Sequence, residues 1–283
     1  MNYRHAFHAG NFADVLKHVV LMQLIEHLAR KPAPFLYLDT HAGRGVYDLS
    51  EAEGQRSGEY KDGIGLLLAA RPATLPPELQ AYVALVRNSA GEGRSAITAY
   101  PGSPLLVARM RRADDRLVLV EKDAREADAL RAALGRQRRI SVLNDDGYAA
   151  LKAHLPPEEN RGLVLIDPPY EDAGEFDRVL AGLQLAHERW PRGQYAIWYP
   201  QSERAGSTRF RARLRDSGIR RILDLRLAVL PADAPVGMPG CGMLLVNPPW
   251  QFDERFTALL PVLHGLLSPS GAGAHAVEWL VPE

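Results

Sequence analysis

An α/β fold built on a largely parallel sheet is what the sequence predicts, on three observations. Short runs rich in Val, Ile, Leu and Tyr alternate with segments of helical periodicity, the pattern left by strands that feed crossover helices. The runs are continuously apolar, as suits strands covered by helices on both faces. Three successive runs end on polar residues, Asp39, Glu121 and Asn144-Asp145-Asp146, and the carboxyl ends of parallel strands are where such sheets bind ligands.

The elements follow in order. Apolar residues at helical spacing predict a helix over residues 13–29, and an apolar run predicts the first strand over 35–39. The next convincing strand begins only near Leu117. Between them, helical patterns at 60–70 and 77–87 are punctuated by Arg71-Pro72 and Leu75-Pro76-Pro77. A structureless connection of that length is uncommon in a compact domain. A small helical subdomain is therefore expected at 51–101, inserted after the first strand into a core made of residues 1–50 and 102–283. Beyond it, strands are expected over 117–121, 140–143, 163–166, 195–199, 222–229, 243–246 and 276–281. The intervening helices fall at 124–134, 176–189, 210–217 and 252–267.

Composition narrows the class. Of the 283 residues, 46% are hydrophobic and 24% charged, which supplies a core and carries no signature of disorder. The longest apolar stretches, such as 66–70 and 163–166, fall far short of the roughly 20 residues of a membrane span. Met1-Asn2-Tyr3-Arg4-His5 runs into polar Asn11, Asp14 and Lys17 rather than into the apolar segment of a secretory signal, so a cytoplasmic protein is expected. The single cysteine, Cys241, can form neither an internal disulfide nor a zinc cluster and reads as a small buried hydrophobe. A formal net charge of zero argues against a surface that binds polyanions everywhere. Local clusters would have to do so: Arg109, Arg111 and Arg112; Arg136, Arg138 and Arg139; or Arg204, Arg209, Arg211, Arg213 and Arg215. Each cluster is equally well a solvated helix face.

In Leu36-Tyr37-Leu38-Asp39-Thr40-His41-Ala42-Gly43-Arg44-Gly45 a strand runs into a turn with two glycines, which lets backbone approach a ligand. No third glycine stands at the dinucleotide spacing and an aspartate already ends the strand, so S-adenosylmethionine fits better than a pyrophosphate. Asp39 and Gly43 are the candidate cofactor residues of this turn. Glu121, closing the second strand, can accept from both ribose hydroxyls. After the third strand, Asp146 and Gly147 offer a carboxylate and backbone to an adenine amine.

The most specific signal is Leu163-Val164-Leu165-Ile166-Asp167-Pro168-Pro169-Tyr170. An aromatic amine is a poor nucleophile because its lone pair is delocalised into the ring, and its hydrogens need acceptors as the nitrogen becomes tetrahedral. The Asp167 carboxylate and the Pro168 carbonyl can be those acceptors, locked in place by the two prolines. The Tyr170 ring can stack on the base. A second turn of the same kind follows a late strand at Asn247-Pro248-Pro249-Trp250. The strand beside the cofactor strand should be the fourth, which selects Asp167; Asn247 is expected near the far edge, in a structural turn. The amino-terminal stretch from Tyr3 to His18 is dense in polar and aromatic groups. Its His5, His8 and His18 lack a carboxylate at zinc-motif spacing, so no metal is expected.

With Tyr3-Arg4-His5-Ala6-Phe7-His8-Ala9-Gly10-Asn11, the Asp39 turn and Asp167-Pro168-Pro169-Tyr170 together, the chain resembles the RlmJ family of 23S ribosomal RNA adenine-N6 methyltransferases over essentially its whole length. Tyr100-Pro101-Gly102-Ser103-Pro104, Ala228-Val229-Leu230-Pro231 and Trp279-Leu280-Val281-Pro282-Glu283 also match. The resemblance implies a Rossmann-like methyltransferase core with a helical insertion, S-adenosylmethionine as donor and protein-free 23S ribosomal RNA as substrate; separately, a monomer is expected. It implies cofactor contacts at His18, His41, Ser103, Glu121, Asp146, Gly147 and Asp167. Asp167 would also accept from the amine, and Tyr3, with Arg4 beside it, would lie against RNA. The choice of RNA over DNA rests on the resemblance alone. The Asp-Pro-Pro turn suits a guanine N2 amine too, and a noncatalytic RNA-binding module on the same fold is the alternative from another class.

Overall fold

The computed structural model describes residues 5–89, 98–201, 206–231, 234 and 238–283. Helix α1 (Phe12–Ala29) starts where the Asn11 side chain accepts from the Ala13 and Asp14 N–H groups, both at 3.0 Å, satisfying donors the helix cannot bond internally. The helix is buried on nearly every side, the pattern of a core helix rather than a surface one. Its polar residues Asp14, Lys17 and His18 are carried into the interior with it and must find partners there.

The strands are β1 (Leu36–Asp39), β2 (Val46–Asp48), β3 (Ala99–Pro101), β4 (Arg116–Glu121), β5 (Ile140–Asn144), β6 (Gly162–Ile166), β7 (Gln194–Gln201), β8 (Ile222–Ala228), β9 (Gly240–Val246) and β10 (Ala274–Val281). The remaining helices are α2 (Ala52–Ser57), α3 (Ile64–Ala69), α4 (Pro77–Ser89), α5 (Ser103–Met110), α6 (Ala124–Leu134), α7 (Gly147–His154), α8 (Glu175–Arg189), α9 (Ser207–Arg215) and α10 (Phe252–Leu267). One sheet runs in the order β5-β4-β1-β6-β7-β9-β8-β10. The five strands from β5 to β7 are parallel; β9 is antiparallel to both β7 and β8, and β10 is antiparallel to β8. From β1 the chain moves outward to β4 and β5, then returns to β6 on the other flank of β1. Such a reversal opens a ligand crevice at the carboxyl ends of the strands, here between Asp39 and Asp167.

Alternate strand residues serve opposite faces. Tyr37, Leu117, Leu119, Leu163 and Leu165 join α1, α5 and α10 in one apolar cluster, while Leu38, Val118, Val120, Val164 and Ile166 join α7, α8 and α9 in the other. Each such side chain stabilises the fold by about 1.5–3 kcal/mol through burial. The segment between β2 and β3, which pair antiparallel, adds Ile64, Leu67, Leu79 and Tyr82 to the α1 cluster. Cys241 is buried within β9, and burial pushes its thiol pKa up. Among the described residues no helix is long and apolar enough to cross a membrane.

The sheet corrects one expectation. The strand leading to Asn247 is not near the far edge: β9 sits inside the sheet, with β8 and β10 beyond it, because the last strands enter antiparallel rather than by further crossovers. Helices α5 and α7, eight residues each, were not expected, being too short for periodicity to mark.

Candidate active site at the ends of β1 and β6

Asp39 ends β1 fully buried. Tyr37 Oη and Ser103 Oγ donate to its Oδ2 at 2.8 and 2.7 Å, and the His41 N–H donates to Oδ1 at 3.2 Å. Burial raises the Asp39 pKa to about 6 against the pull of these donors. In the turn that follows, Gly43 takes φ +62°, a left-handed conformation that favours glycine. Its N–H donates to Glu121 Oε2 at 2.8 Å, and the Asp123 N–H donates to Oε1 at 2.8 Å. The end of β4 is therefore tied to the glycine turn. Burial raises the Glu121 pKa, and each carboxylate oxygen has lone pairs to spare for a further donor.

Asp146 caps α7, accepting from the Tyr148 and Ala149 N–H groups at 2.9 and 3.2 Å. Gly147 presses so closely on the end of β1 that a Cβ there would overlap the Thr40 carbonyl oxygen. His41 Nδ1 lies 2.8 Å from Thr40 Oγ1, and its ring meets Tyr148 edge-on at 5.4 Å. Burial lowers its pKa to about 4, leaving it neutral at physiological pH.

Across the crevice, β6 delivers Asp167 to a partner that the sequence reading did not find. Lys17 Nζ donates to Asp167 Oδ2 at 2.6 Å and pairs with Asp14 Oδ1 at 2.7 Å. Asp14 Oδ2 accepts from the Gly10 N–H at 2.9 Å and lies 3.0 Å from His5 Nε2. Burial opposes both charges, yet their attraction prevails. The Lys17 amine is held well above its ordinary pKa, and the Asp14 carboxyl well below its own. A signal was present in the sequence: Asp14 and Lys17, one helical turn apart, sit on a helix without a polar face.

Lys17 engages one Asp167 oxygen and leaves Oδ1 without a hydrogen-bond partner among the described residues. The Pro168 carbonyl likewise accepts from no described group. Tyr170 adopts φ +52°, a strained conformation for a bulky residue. Its hydroxyl donates to the Trp198 carbonyl at 2.7 Å, and its ring packs 4.7 Å from Phe176 and 5.8 Å from Trp198. The ring is thus anchored to β7, next to the Asp167 turn.

The structure sorts the other expected residues. His18 Nδ1 lies 2.8 Å from Tyr100 Oη, which is 2.8 Å from Tyr82 Oη; burial lowers the His18 pKa to about 3. His18 thereby joins α1 to the segment bounded by β2 and β3. Tyr3, Arg4 and Arg204 lie outside the described residues. Asn247 is at the opposite end of the sheet from Asp167, because β9 runs antiparallel to β7; its Nδ2 donates to the Pro191 and Gly193 carbonyls at 2.9 and 2.8 Å, a structural turn. Arg109, Arg111 and Arg112 lie towards the amino end of β4, also away from Asp167. Arg112 pairs with Asp115 at 2.8 Å and donates to the Lys31 and Ala33 carbonyls at 2.6 and 3.0 Å. Arg136, Arg138 and Arg139 precede β5 at that same end. Helix α9 begins at the crevice end, but Arg211 pairs with Asp224 and Arg213 with Asp177.

Residues 32–281 match a family described as Ribosomal RNA large subunit methyltransferase D, RlmJ. Two relatives share the name Ribosomal RNA large subunit methyltransferase J. The Escherichia coli (strain K12) protein is 43% identical and the Haemophilus influenzae protein 42% identical, each over 283 residues and 100% of both chains. The crystal structure of a protein from Legionella pneumophila is also similar, with a TM-score of 0.88 and 33% identity over 96% of this chain and 98% of that one.

Proposed function

The chain belongs to this family of ribosomal RNA large subunit methyltransferases, and on that premise we propose that it moves a methyl group from S-adenosylmethionine to the N6 amine of one adenine in 23S ribosomal RNA. The observation that carries the reading is the Asp167 turn, set across the switch point from the glycine turn of β1 and offering two adjacent acceptors that no described protein group occupies. The donor set suits the cofactor. Glu121 keeps acceptor capacity for ribose hydroxyls, Asp146 and Gly147 offer polar groups to an adenine, and Asp39, His41, Gly43 and Asp167 surround the remaining polar end. Ser103 and His18 complete the set by holding Asp39 and α1 in place. When bound, S-adenosylmethionine supplies an electrophilic methyl group on a positively charged sulfur.

The chain's own residues do the rest. Asp167 Oδ1 and the Pro168 carbonyl accept the two amine hydrogens, orienting the nitrogen lone pair while positive charge grows on it. Lys17 fixes the carboxylate from behind, and Asp14 with His5 fixes Lys17. Tyr170 stacks on the base, and its bond to Trp198 keeps the ring from turning away. Tyr3 and Arg4 contribute to RNA contact. The enzyme acts in the cytoplasm, as a monomer, on protein-free RNA. Residues 51–101 form a helical subdomain inserted into the catalytic core of 1–50 and 102–283.

Mapping the transferred methyl on protein-free 23S RNA from a strain lacking the enzyme tests the assignment, with Asp167→Ala as control. One N6-methyladenine made by the wild type and not by the variant is expected. An N2-methylguanine, or no transfer at all, would overturn it.

A further inference from the structure

The second Pro-Pro turn, which catalysis does not use, is built to display one ring. Trp250 is 85% exposed, and Val262 at 39% is the only other exposed large apolar side chain among the described residues. The backbone on both sides of it is held in the left-handed region, at Asn247 (φ +53°) and Gln251 (φ +59°). Two non-glycine residues in that region cost of order 1–3 kcal/mol each, a strain that persists only where the surroundings impose it. Here the Asn247 side chain bolts the turn to the Pro191 and Gly193 carbonyls, and Pro248 and Pro249 stiffen it. The stiff turn therefore carries the ring out into solvent.

Beside it lies a cleft of about 380 Å³ lined by His27, Arg30, Trp250, Gln251, Glu254 and Arg255, within the size range of small-ligand sites. Arg30 pairs weakly with Glu26 at 3.6 Å, and Glu254 is the one acid of the lining. Burial and then the nearby cations Arg30, Arg161, Lys31 and Arg255 hold the His27 pKa below its ordinary value. The larger cleft at edge strand β5, lined by Arg131, Arg136 and Arg138, contains no ring and offers phosphate contacts alone. An exposed aromatic face framed by guanidinium groups is the arrangement that binds unpaired nucleotides, the ring taking the base and the cations the backbone.

We propose that Trp250, with Arg30 and Arg255, forms a second RNA-binding site that stacks an unpaired nucleotide of the substrate at the end of the sheet opposite Asp167. The proposal rests on the reading of the chain as an RNA methyltransferase. The five residues of β6 alone separate the two ends of the sheet by roughly 16 Å, so a nucleotide held here belongs to a part of the RNA remote from the methylated base. The site selects large folded RNA over a minimal fragment.

The test uses the full-length enzyme. Trp250→Ala should raise KM for protein-free 23S RNA about tenfold, within the range for one stacked base, with kcat unchanged, and Trp250→Phe should restore it. A short stem-loop carrying only the methylated adenine should not distinguish wild type from variant. Anisotropy of a labelled oligo(U) decamer should show the same loss of affinity, and Arg30→Glu with Arg255→Glu should flatten its salt dependence. The decamer assay needs no methyl transfer, so failure of the activity assignment and failure of this site are separable. Unchanged decamer affinity with unchanged KM would overturn the proposal. So would equal losses on 23S RNA and stem-loop, or light scattering in which Trp250→Ala disrupts self-association while RNA affinity stays intact.

Discussion

Replacing Lys17 with methionine removes the cation between the buried Asp14 and the half-buried Asp167 carboxylates while keeping most of the side-chain volume, so any loss reports charge rather than a cavity. Asp14 and Asp167 would then face each other with side-chain exposures of 3% and 16%, so water screens them only in part, from the Asp167 side. Removing one partner of a buried ion pair costs about 3–5 kcal/mol. For a chain of this size that lowers Tm by roughly 6–15 °C, at about 2–3 °C per kcal/mol. Asp14→Asn in the Lys17→Met background removes one of the stranded charges and should recover part of the loss, with a coupling energy of about 0.5–3 kcal/mol between the sites. Single-turnover methyl transfer at saturating cofactor should fall in Lys17→Met even well below its melting temperature, since Asp167 loses its brace. A Lys17→Met protein that melts within a degree of wild type and turns over at the same rate would refute the reasoning.

Four further outcomes follow from the same geometry. Tyr170→Phe should keep the rate within a few-fold but lower stability by about 1 kcal/mol, because the Trp198 carbonyl loses its donor; Tyr170→Ala should in addition lose stacking of about 1–3 kcal/mol, and equal rates for the two would contradict a stacking role. Glu121→Ala frees the Gly43 N–H as well as removing the proposed ribose acceptor, so calorimetry should show cofactor affinity falling by about 1.5–3 kcal/mol. Gly147→Ala drives a methyl group into the Thr40 carbonyl and should cost about 1–3 kcal/mol of stability, read from a thermal melt; an unshifted melt would mean the crevice yields. Acidification from pH 7 to 5 should lower the urea midpoint. His18 at about 3 and His41 at about 4 stay neutral in the fold while the unfolded chain protonates near 6.5, so the stability they contribute above pH 6.5 is lost as pH falls. Asp39, raised to about 6, takes up its proton first in the fold and returns part of that loss below pH 6. For these three groups alone the balance at pH 5 is a loss of about 2–3 kcal/mol, and a midpoint that rises on acidification would refute it.

Asp39, Glu121 and Asp167 could be found from the sequence because each terminates a continuous apolar run, and a parallel sheet gathers such termini on one edge. The neighbouring position of β6 beside β1 followed from the same crossover logic. Lys17 could not be found that way: it meets Asp167 across 150 residues, and a lysine in a helix reads as solvent-facing until the helix is known to be buried all round. Ser103 was placed at the site by resemblance, but its bond to Asp39 rather than to open crevice depends on where α5 starts, in a helix of only eight residues. The position of β9 inside the sheet was hidden because strand patterns do not encode direction, and direction is what separates the Asn247 turn from the Asp167 turn. Arg112 looked like a phosphate ligand in the sequence; the carbonyls of Lys31 and Ala33 that occupy it belong to a distant loop.

The Lys17–Asp167 pair also sets an order of events during biosynthesis. Helix α1 precedes every strand of the sheet in the chain, and the carboxylate that completes its charge pairing arrives 150 residues after Lys17. At about 5–20 residues per second that is a delay of roughly 8–30 s, during which Lys17 has Asp14 as a partner and lacks the second carboxylate. The full set of partners for the buried ammonium is therefore in place only once β6 has emerged and lies next to β1. Placement of the Asp167 turn and completion of the charge pairing inside α1 are then one step, so a chain truncated before Asp167 should carry a less stable α1.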